Sequence, residues 1–380
     1  MVCFWLSLLL FTTGHSINLK LSLLSMIPYL NGFILVFIFV DFLSDQEDWR
    51  WLVDYVIWIG AFVSILAIVQ YLIVQFGVLS FLEGWLIPPS HRGITFIDLA
   101  NGRSQYRAAG TFYHPNNLGV HLGLLVPLTV ALAIAPDNSG KRRVIYGFSV
   151  LCMLFALYCS GSRGGILTSV LGLMIIGIFV YRSTFINIIA FTTVLLLMVF
   201  SFAELRTPVL EYFRLAGGLS GRPEIWRKSF QLFLEHPFLG SGVGTLPERY
   251  LGQFGFLLTS DLYTLESEVY QVVLNAGEIV QANYSAHNLY INAAVEMGFL
   301  APLSYLCFIW LYLRGLLKAQ KRTIIIYGII GSASAHFAHT MMEGYVMFTN
   351  DTTTIMFALL IALGFYFIKK GKINAQTAAV

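Results

Sequence analysis

Residues 52–78 read LVDYVIWIGAFVSILAIVQYLIVQFGV and contain a single charged side chain, Asp54. Because an α-helix rises about 1.5 Å per residue, this stretch exceeds the roughly 20 residues that cross a bilayer core. The whole chain of 380 residues has the same character, since 57% of its residues are hydrophobic and 11% are charged. An ordinary soluble domain has about 25% charged residues. The composition therefore excludes a soluble enzyme and predicts an all-α, polytopic transmembrane helical bundle.

Nine apolar stretches are about long enough to cross a membrane, and a shorter one covers residues 1–13. The nine are approximately 23–43, 52–78, 117–135, 144–160, 164–181, 184–203, 287–313, 323–342 and 346–368. The short stretch has no basic region and no cleavage pattern, so we interpret it as part of a first helix rather than a signal peptide. These stretches predict about ten spans in one integral membrane domain, 1–380. Residues 144–181 also allow a hairpin of two half-length helices.

Basic side chains concentrate beside short loops that would lie on one side of the membrane. They are Arg50, Lys141, Arg142, Arg143, Arg182, Arg314, Lys318, Lys321, Arg322, Lys369, Lys370 and Lys372. Short basic loops resist translocation, so this side is predicted to be cytoplasmic, together with both termini. Segments 79–116 and 204–286 then form two outer loops, the second a folded cap with an interfacial helix near 223–236. The net charge of +3 gives no indication of a nucleic-acid partner.

A first polar patch, from Arg107 to His121, ends the first outer loop and opens a predicted span. Its side chains His114, Asn117 and His121 are spaced i, i+3 and i+7, so they share one face of a helix that begins near Pro115. With Arg107 nearby, this face is either a substrate-binding stripe or a helix cap with a buried, hydrogen-bonded histidine. The sequence leaves both interpretations open.

A second patch, Ser160-Gly-Ser-Arg163-Gly-Gly165, lies between two predicted spans. A guanidinium at hydrocarbon depth costs roughly 2.5–3.5 kcal/mol on insertion scales, and its small neighbours let a ligand approach. Arg163 therefore predicts an anion site. The alternative is a tight outer turn with an arginine whose head reaches back to water.

A third patch is a predicted amphipathic helix that begins near Pro223 and stops at His236-Pro237. One side carries Trp226, Phe230, Phe233 and Leu234, and the other carries Glu224, Arg227, Lys228, Gln231 and Glu235. Such a helix is typical of a membrane interface. Arg222 stands at its entrance, where unpaired N–H groups and the helix dipole favour a phosphate, and Arg227 is a further candidate for substrate binding. The glycine-rich run 240–244 is interpreted as a flexible connection.

A fourth patch runs from Ser285, a predicted helix cap, through His287-Asn288-Leu-Tyr290 to Glu296. A lone histidine is usually structural, but one at a helix start beside the water boundary is a catalytic candidate. Glu296 lies nine positions after His287 and faces the opposite side of a helix, which argues against a direct dyad. The substrate-binding candidates in this patch are Asn288, Tyr290 and Glu296.

A last stripe, at the end of the span predicted over 323–342, consists of His336, His339 and Glu343, spaced i, i+3 and i+7. Ionisable residues at membrane depth usually face the interior of a bundle. The stripe either forms a wall of the substrate cavity, with His339 in contact with substrate, or makes hydrogen bonds between helices.

Four stretches, in this order, resemble the O-antigen ligase and polymerase superfamily. They are Gly110-Thr-Phe-Tyr-His-Pro-Asn-Asn117, Ser160-Gly-Ser-Arg-Gly-Gly165, Gly221-Arg-Pro-Glu-Ile-Trp226 with His236-Pro-Phe-Leu-Gly-Ser-Gly-Val-Gly-Thr245, and His287-Asn-Leu-Tyr290 with Glu296-Met-Gly298. The resemblance implies an inverting glycosyltransferase that needs no metal or cofactor. It would act at the periplasmic face of a bacterial inner membrane on an undecaprenyl-diphosphate-linked glycan, among membrane lipids.

The matched motifs imply that Arg163 and Arg222 hold the diphosphate and that His287 acts at the reacting centre. Diphosphate is a good leaving group, so the enzyme must mainly neutralise its charge and remove the acceptor's proton. The acceptor is a lipid core or other surface anchor in a ligase, or another carrier-linked repeat unit in a polymerase. A transporter or flippase of lipid-linked glycans would show internal repeats, which the sequence lacks. A third class of function is a passive scaffold for assembly of the cell envelope.

Overall fold

The computed structural model describes residues 2–45, 49–88, 95–98, 103–183, 186, 222–254, 285–319, 323–343 and 352–377. The chain divides into two compact units. The first unit comprises Met1–Leu35, Gly217–Tyr312 and Thr340–Thr354. The second unit comprises Val36–Ala216, Leu313–His339 and Ile355–Val380.

Helices dominate the described residues of both units. In chain order they are α1 (Val2–Gly14), α2 (Leu19–Asp45), α3 (Arg50–Phe76), α4 (Glu83–Leu86), α5 (Pro115–Ile134), α6 (Gly140–Ser160), α7 (Arg163–Val180), α8 (Arg222–Glu235), α9 (Leu246–Phe254), α10 (Leu289–Met297), α11 (Leu300–Leu317), α12 (Ile324–His339) and α13 (Thr352–Thr377). A short 3₁₀ turn covers Ser80–Leu82. Strands β1 (Thr95–Asp98) and β2 (Arg103–Tyr106) pair antiparallel.

Seven of these helices are long and apolar enough to cross a membrane, namely α2, α3, α5, α6, α7, α11 and α13. This confirms the prediction of an all-α polytopic bundle. Helices α1 and α12 are apolar but shorter. The hairpin of half-length helices is wrong, because α6 and α7 have 21 and 18 residues. The span predicted over 184–203 lies outside the described residues, apart from Ile186.

The span predicted over 287–313 is divided in two by Gly298. This glycine has φ +75°, and a Cβ there would lie 2.1 Å from the carbonyl oxygen of Phe238. The amide of the next residue, Phe299, donates to the carbonyl of Pro237 at 2.9 Å. The backbone therefore turns to contact another segment instead of continuing one helix. The short helix α10 precedes the membrane-spanning helix α11.

The loop between α3 and α5 contains the β1–β2 hairpin, which the sequence pattern did not predict. Gln70 of α3 ties the ends of this loop together. Its side-chain amide donates to the carbonyls of Leu86, at 3.0 Å, and Gly110, at 2.9 Å, and its oxygen accepts from the amide of Gly110. The Gln70 side chain therefore satisfies backbone groups of the loop that have no partner in a helix or sheet.

Glycines allow α5 and α7 to cross closely in the second unit. A Cβ added to Gly165 would lie 2.7 Å from the Cα atom of Gly119 and 2.8 Å from its carbonyl oxygen. Small residues let helix backbones approach in this way in membrane proteins. Because the crossing lies close to the first turn of both helices, it brings the start of α5 next to the start of α7, where Arg163 lies.

We expect Gly165→Ala to destabilise the second unit, because its methyl group meets backbone that has to move. Overpacking of this kind costs about 1–3 kcal/mol. Gly147→Ala on α6 is the matched control, since a Cβ there meets nothing within 4 Å. Thermal unfolding of the two purified variants in detergent should show a lower Tm for Gly165→Ala alone. Equal melting temperatures would contradict the close crossing.

The glycine-rich run 240–244 is held by backbone hydrogen bonds and close packing in the first unit, which argues against its interpretation as a flexible connection. Gly240, Gly242 and Gly244 all have positive φ, and a Cβ on any of them would come within 2.2 Å of a neighbouring atom. The amides of Ser241 and Gly242 donate to the carbonyls of Val295 and Glu296, at 3.0 and 2.9 Å. Glycine fits here because these positions have positive φ and the run, called the glycine-rich strap below, lies against the backbone of Glu296 and the side chains of Ser16, Ser22 and Ser25.

Candidate functional site

One carboxylate joins Arg222 and His287 in the first unit. The Nη2 atom of Arg222 donates to Oε1 of Glu343 at 3.0 Å. The Nδ1 atom of His287 lies 3.1 Å from Oε2 of the same carboxylate. The Glu343 side chain is 6% exposed, against 23% for Arg222 and 42% for His287. The carboxylate therefore lies beneath two side chains that reach solvent.

The segment that carries Glu343 is held by the start of α10. The amide of Leu289 donates to the carbonyl of Thr340 at 2.8 Å, and the side-chain amide of Asn288 donates to the carbonyl of Met341 at 3.1 Å. These bonds engage carbonyls just beyond α12 and stabilise a turn there. The predicted stripe of His336, His339 and Glu343 is therefore wrong, because the helix ends at His339 and Glu343 belongs to the other unit.

His287 occupies an uncommon backbone conformation, with φ +47°. Histidine is among the residues that tolerate this left-handed region, but such residues concentrate at functional sites. Its amide donates to Oγ of Ser285 at 2.9 Å. The carbonyl of the preceding Ala286 accepts from the indole Nε1 of Trp226 at 2.8 Å. Helix α8 thus holds the His287 backbone and also supplies Arg222.

The contacts of Glu343 decide which ring nitrogen of His287 can accept a proton. Arg222 is always protonated, and it favours the carboxylate form of Glu343. A carboxylate only accepts hydrogen bonds, so Nδ1 of His287 carries a proton in this contact, and in the neutral ring Nε2 is then the nitrogen with the lone pair. A guanidinium has five N–H groups, so Arg222 can bind an anion while it contacts Glu343. The site therefore offers a base and a fixed positive charge.

The other substrate-binding candidates of the first unit contact residues close to them in the structure. Arg227 pairs with Glu224 at 2.6 Å on the exposed face of α8, and this guanidinium keeps the pKa of Glu224 below its usual value. Asn288 caps α10, a role predicted for Ser285, by accepting from the amides of Tyr290 and Ile291. Tyr290 hydrogen-bonds Thr340. Substrate contact through these residues stays a prediction.

Glu296 faces the glycine-rich strap and is buried. Its Oε1 accepts from the amide of Leu246 at 3.4 Å, and burial raises the pKa of this carboxyl to about 7 although the amides of Gly244 and Leu246 lower it. A buried acid that holds backbone amides stabilises the strap. This arrangement favours a structural role over the substrate contact that we predicted for it.

Glu296 predicts a pH-dependent stability. Because burial raises its pKa from an ordinary 4.5 to about 7, the folded chain retains a proton that the unfolded chain releases between these pH values. Stability should therefore fall as pH rises from about 4.5 to about 7, by roughly 3 kcal/mol. Glu296→Gln keeps the acceptor oxygen and removes the titration, so its Tm relative to wild type should be higher at pH 8 than at pH 5. The control is Glu224→Gln, on an exposed face. An equal difference at both pH values would contradict the prediction.

A second basic cluster lies in the second unit around the turn between α6 and α7. Arg107 donates from Nε to the carbonyl of Ser160 at 2.8 Å and from Nη2 to Oδ1 of Asn116 at 2.7 Å. Its side chain covers Gly161, whose φ is +56°. Arg163 is the first residue of α7, directly after the cap Ser162. Both arginines therefore flank one turn, and the anion site predicted there for Arg163 stays a prediction.

Two histidines at the start of α5 in the second unit have structural roles. His114 caps α5 by accepting from the amide of Asn116 at 3.1 Å, and α5 begins at Pro115 as predicted. His121 is fully buried against Phe112. These positions favour the interpretation as a cap with a buried histidine for both residues. Asn117 is only partly buried, so its substrate role stays a prediction.

Two further histidines of this unit are buried on α12. Nδ1 of His339 lies 3.2 Å from Oγ1 of Thr168 on α7. The ring of His336 stacks on Phe357, with centroids 4.0 Å apart. Contact between helices is the interpretation that these distances favour.

Sequence reasoning missed Glu343 as the partner of both Arg222 and His287. The only available signal was an ionisable residue in apolar surroundings, followed by Gly344 as a possible helix end. It also missed Asn116, which pairs with Arg107, and the role of the Trp226 indole. The predicted convergence of Arg163 with Arg222 and His287 stays a prediction, since Arg163 belongs to the second unit. Among the described residues, no group of three His, Cys, Asp or Glu side chains could hold a metal ion.

Comparison with known protein families supports the resemblance stated from the motifs. A family model described as O-antigen ligase matches residues 148–306. The match includes Arg163, Arg222 and His287 and ends before Glu343. The comparison with curated proteins found no match. The resemblance to the O-antigen ligase and polymerase superfamily is thus confirmed over residues 148–306. Together with the seven long apolar helices, this match supports a multi-pass membrane enzyme of the O-antigen ligase or polymerase type.

Proposed function

We propose that the chain is a ligase that transfers a glycan from undecaprenyl diphosphate to an acceptor hydroxyl on a lipid core or other surface anchor. The reaction would take place at the periplasmic face of a bacterial inner membrane, with both termini in the cytoplasm. The observation that carries the proposal is the Glu343 carboxylate, which contacts Arg222 and His287 together. These two contacts support a base and a guanidinium that act side by side, which transfer from a diphosphate requires.

The proposed reaction is a single displacement that inverts the sugar carbon. The acceptor hydroxyl oxygen bonds to the anomeric carbon as the bond from that carbon to the diphosphate oxygen breaks. The electron pair of the broken bond leaves with the diphosphate, and the hydroxyl proton passes to Nε2 of His287. Glu343 orients the ring and stabilises the imidazolium that forms, as a carboxylate does beside a catalytic histidine.

The developing negative charge on the diphosphate is assigned to arginines. Arg222 would bind it beside His287, and Arg163 with Arg107 would provide further positive charge. A guanidinium matches two phosphate oxygens at once and does not titrate near neutral pH. Fixed charges that already face the leaving group stabilise the negative charge that develops on it.

Arginine side chains supply the positive charge that neutralises the leaving diphosphate in this proposal. Transfer should therefore continue in EDTA. Purified protein in liposomes, with lipid-linked glycan and an acceptor, should form the glycoside at the same rate before and after chelation. Activity that is lost in EDTA and restored by a divalent ion would contradict this assignment. The same assay excludes transport if the glycan is joined to the acceptor without movement of solute across the bilayer.

A polymerase would use the same residues on another carrier-linked repeat unit. The two functions differ in what accumulates when the gene is deleted. A ligase deletion leaves full-length glycan chains on the lipid carrier, whereas a polymerase deletion leaves single repeat units. Single repeats would therefore overturn the ligase proposal while they support the polymerase.

A further inference from the structure

The amphipathic helix α8 carries one row of side chains that starts at Arg222. Trp226, Phe230 and Leu234 follow it at i+4, i+8 and i+12, the spacing that forms a ridge along a helix surface. Phe238 follows after the helix ends. Exposure rises along the row, from 53% for Phe230 and 58% for Leu234 to 69% for Phe238. We call these five residues the α8 ridge.

The surface of α8 falls into three sectors rather than the two that the sequence predicts. Ser229 and Leu232 are buried, and Trp226 and Phe233 pack on the core formed with Tyr250 and Ala286. The charged sector pairs Glu224 with Arg227 and Glu235 with Arg249. Phe230 and Leu234 lie between these sectors and are exposed. A helix with core, apolar and charged sectors is suited to the boundary between lipid and water.

The apolar end of the α8 ridge continues onto a membrane-spanning helix. The rings of Phe238 and Phe299 are in edge contact, with centroids 5.9 Å apart. Beyond Phe299, the exposed apolar side chains Leu303, Leu306 and Trp310 follow one side of α11, a helix long enough to cross the membrane. The α8 ridge thus joins a surface suited to acyl chains to a guanidinium suited to a phosphate.

We propose that the α8 ridge seats the prenyl chain of the donor next to its diphosphate, an inference that rests on the proposed function. Arg222 binds the diphosphate, and the first prenyl units lie over the exposed side chains of Phe230 and Leu234. Helix rise places Phe230 and Leu234 about 12 and 18 Å beyond Arg222 along the axis. The chain then enters the bilayer beside Phe238 and α11. A diphosphate on Arg222 would then lie near His287, because both side chains contact Glu343 and the Trp226 indole holds the carbonyl just before that histidine.

Photolabelling of the full chain in liposomes tests this placement. The probe is undecaprenyl diphosphate with a diazirine in its first prenyl units. We expect the probe to label the peptide 226–238 and excess unlabelled undecaprenyl diphosphate to suppress this labelling. The amount of label on the peptide should decrease in Arg222→Ala. Label on this peptide that the competitor does not suppress would identify bilayer lipid as the occupant and overturn the proposal. Competed label elsewhere would overturn it too.

The double variant Phe230→Ser with Leu234→Ser provides a kinetic test. We expect the donor KM to rise about tenfold with little change in kcat, since aromatic and apolar contacts with the chain are lost. Gln231→Ser, in the charged sector, is the matched control and should keep the wild-type KM. An unchanged KM in the double variant would contradict the proposal. If the wild-type protein shows no transfer and no label that the competitor suppresses, the proposed function itself fails. If it transfers glycan but the suppressible label lies on another peptide, only the placement of the prenyl chain on the α8 ridge is wrong.

Discussion

His287→Ala should lower the turnover of glycan transfer by about 10²–10⁴-fold, the contribution of a general base. Donor binding should stay close to the wild-type value, because Arg222 and Glu343 remain paired without the imidazole. The measurement is transfer by purified protein in liposomes, together with binding of undecaprenyl diphosphate. Wild-type turnover in this variant would remove His287 from the reaction.

A second variant guards against a purely conformational explanation. His287 has φ +47°, a region that asparagine tolerates better than alanine. His287→Asn therefore keeps the backbone and removes the base. Both variants should lose turnover to a similar extent. Recovery of activity in His287→Asn would show that the residue matters for the turn and not for proton transfer.

Glu343→Gln should lower kcat by about 100-fold or more while the donor KM changes little. The amide can donate to Nδ1 of His287, which would move the ring proton to Nε2 and remove the base. Glutamine has a similar shape and keeps an acceptor for Arg222. Glu235→Gln is the matched control, because this exposed carboxylate contacts Arg249 and Gln253. An equal fall in both variants, or a rise in KM alone, would contradict the positioning role.

Most of the fold could be predicted because a membrane span depends on local apolar length. The helices α3, α5 and α7 begin and end within a few residues of their predicted limits. The misses have non-local causes. Gly298 divides a predicted span because it packs against Phe238. Helix α12 ends at His339, and the Thr340 carbonyl that follows accepts from the amide of Leu289, 51 positions away in the chain.

The site could be predicted in part for the same reason. Arg222 and His287 stand out locally, as a cation at a helix entrance and a histidine before an apolar run. Glu343 does not, since its partners are 121 and 56 residues away in the chain. Sequence spacing assigned it to a helical stripe with His336 and His339. A turn instead directs its carboxylate to the other two residues.

Helix α8 was predicted at the correct position, but its side chains were assigned to the wrong faces. The sequence separates apolar from polar side chains, so it grouped Trp226 and Phe233 with Phe230 and Leu234. Packing separates them again, because the first two contact the core and the others are exposed. Hydrophobicity alone cannot distinguish a residue that faces protein from one that faces lipid.

The protonation of the His287 ring tests the central claim most directly, because the claim requires a lone pair on Nε2 held in place by Glu343. Nitrogen-15 NMR of the histidine-labelled protein in lipid, assigned by His287→Asn, measures it at a pH where the ring is neutral. We predict a proton on Nδ1 and a bare Nε2 in the wild type, and the reverse in Glu343→Gln. A proton on Nε2 with a bare Nδ1 in the wild type would contradict the account.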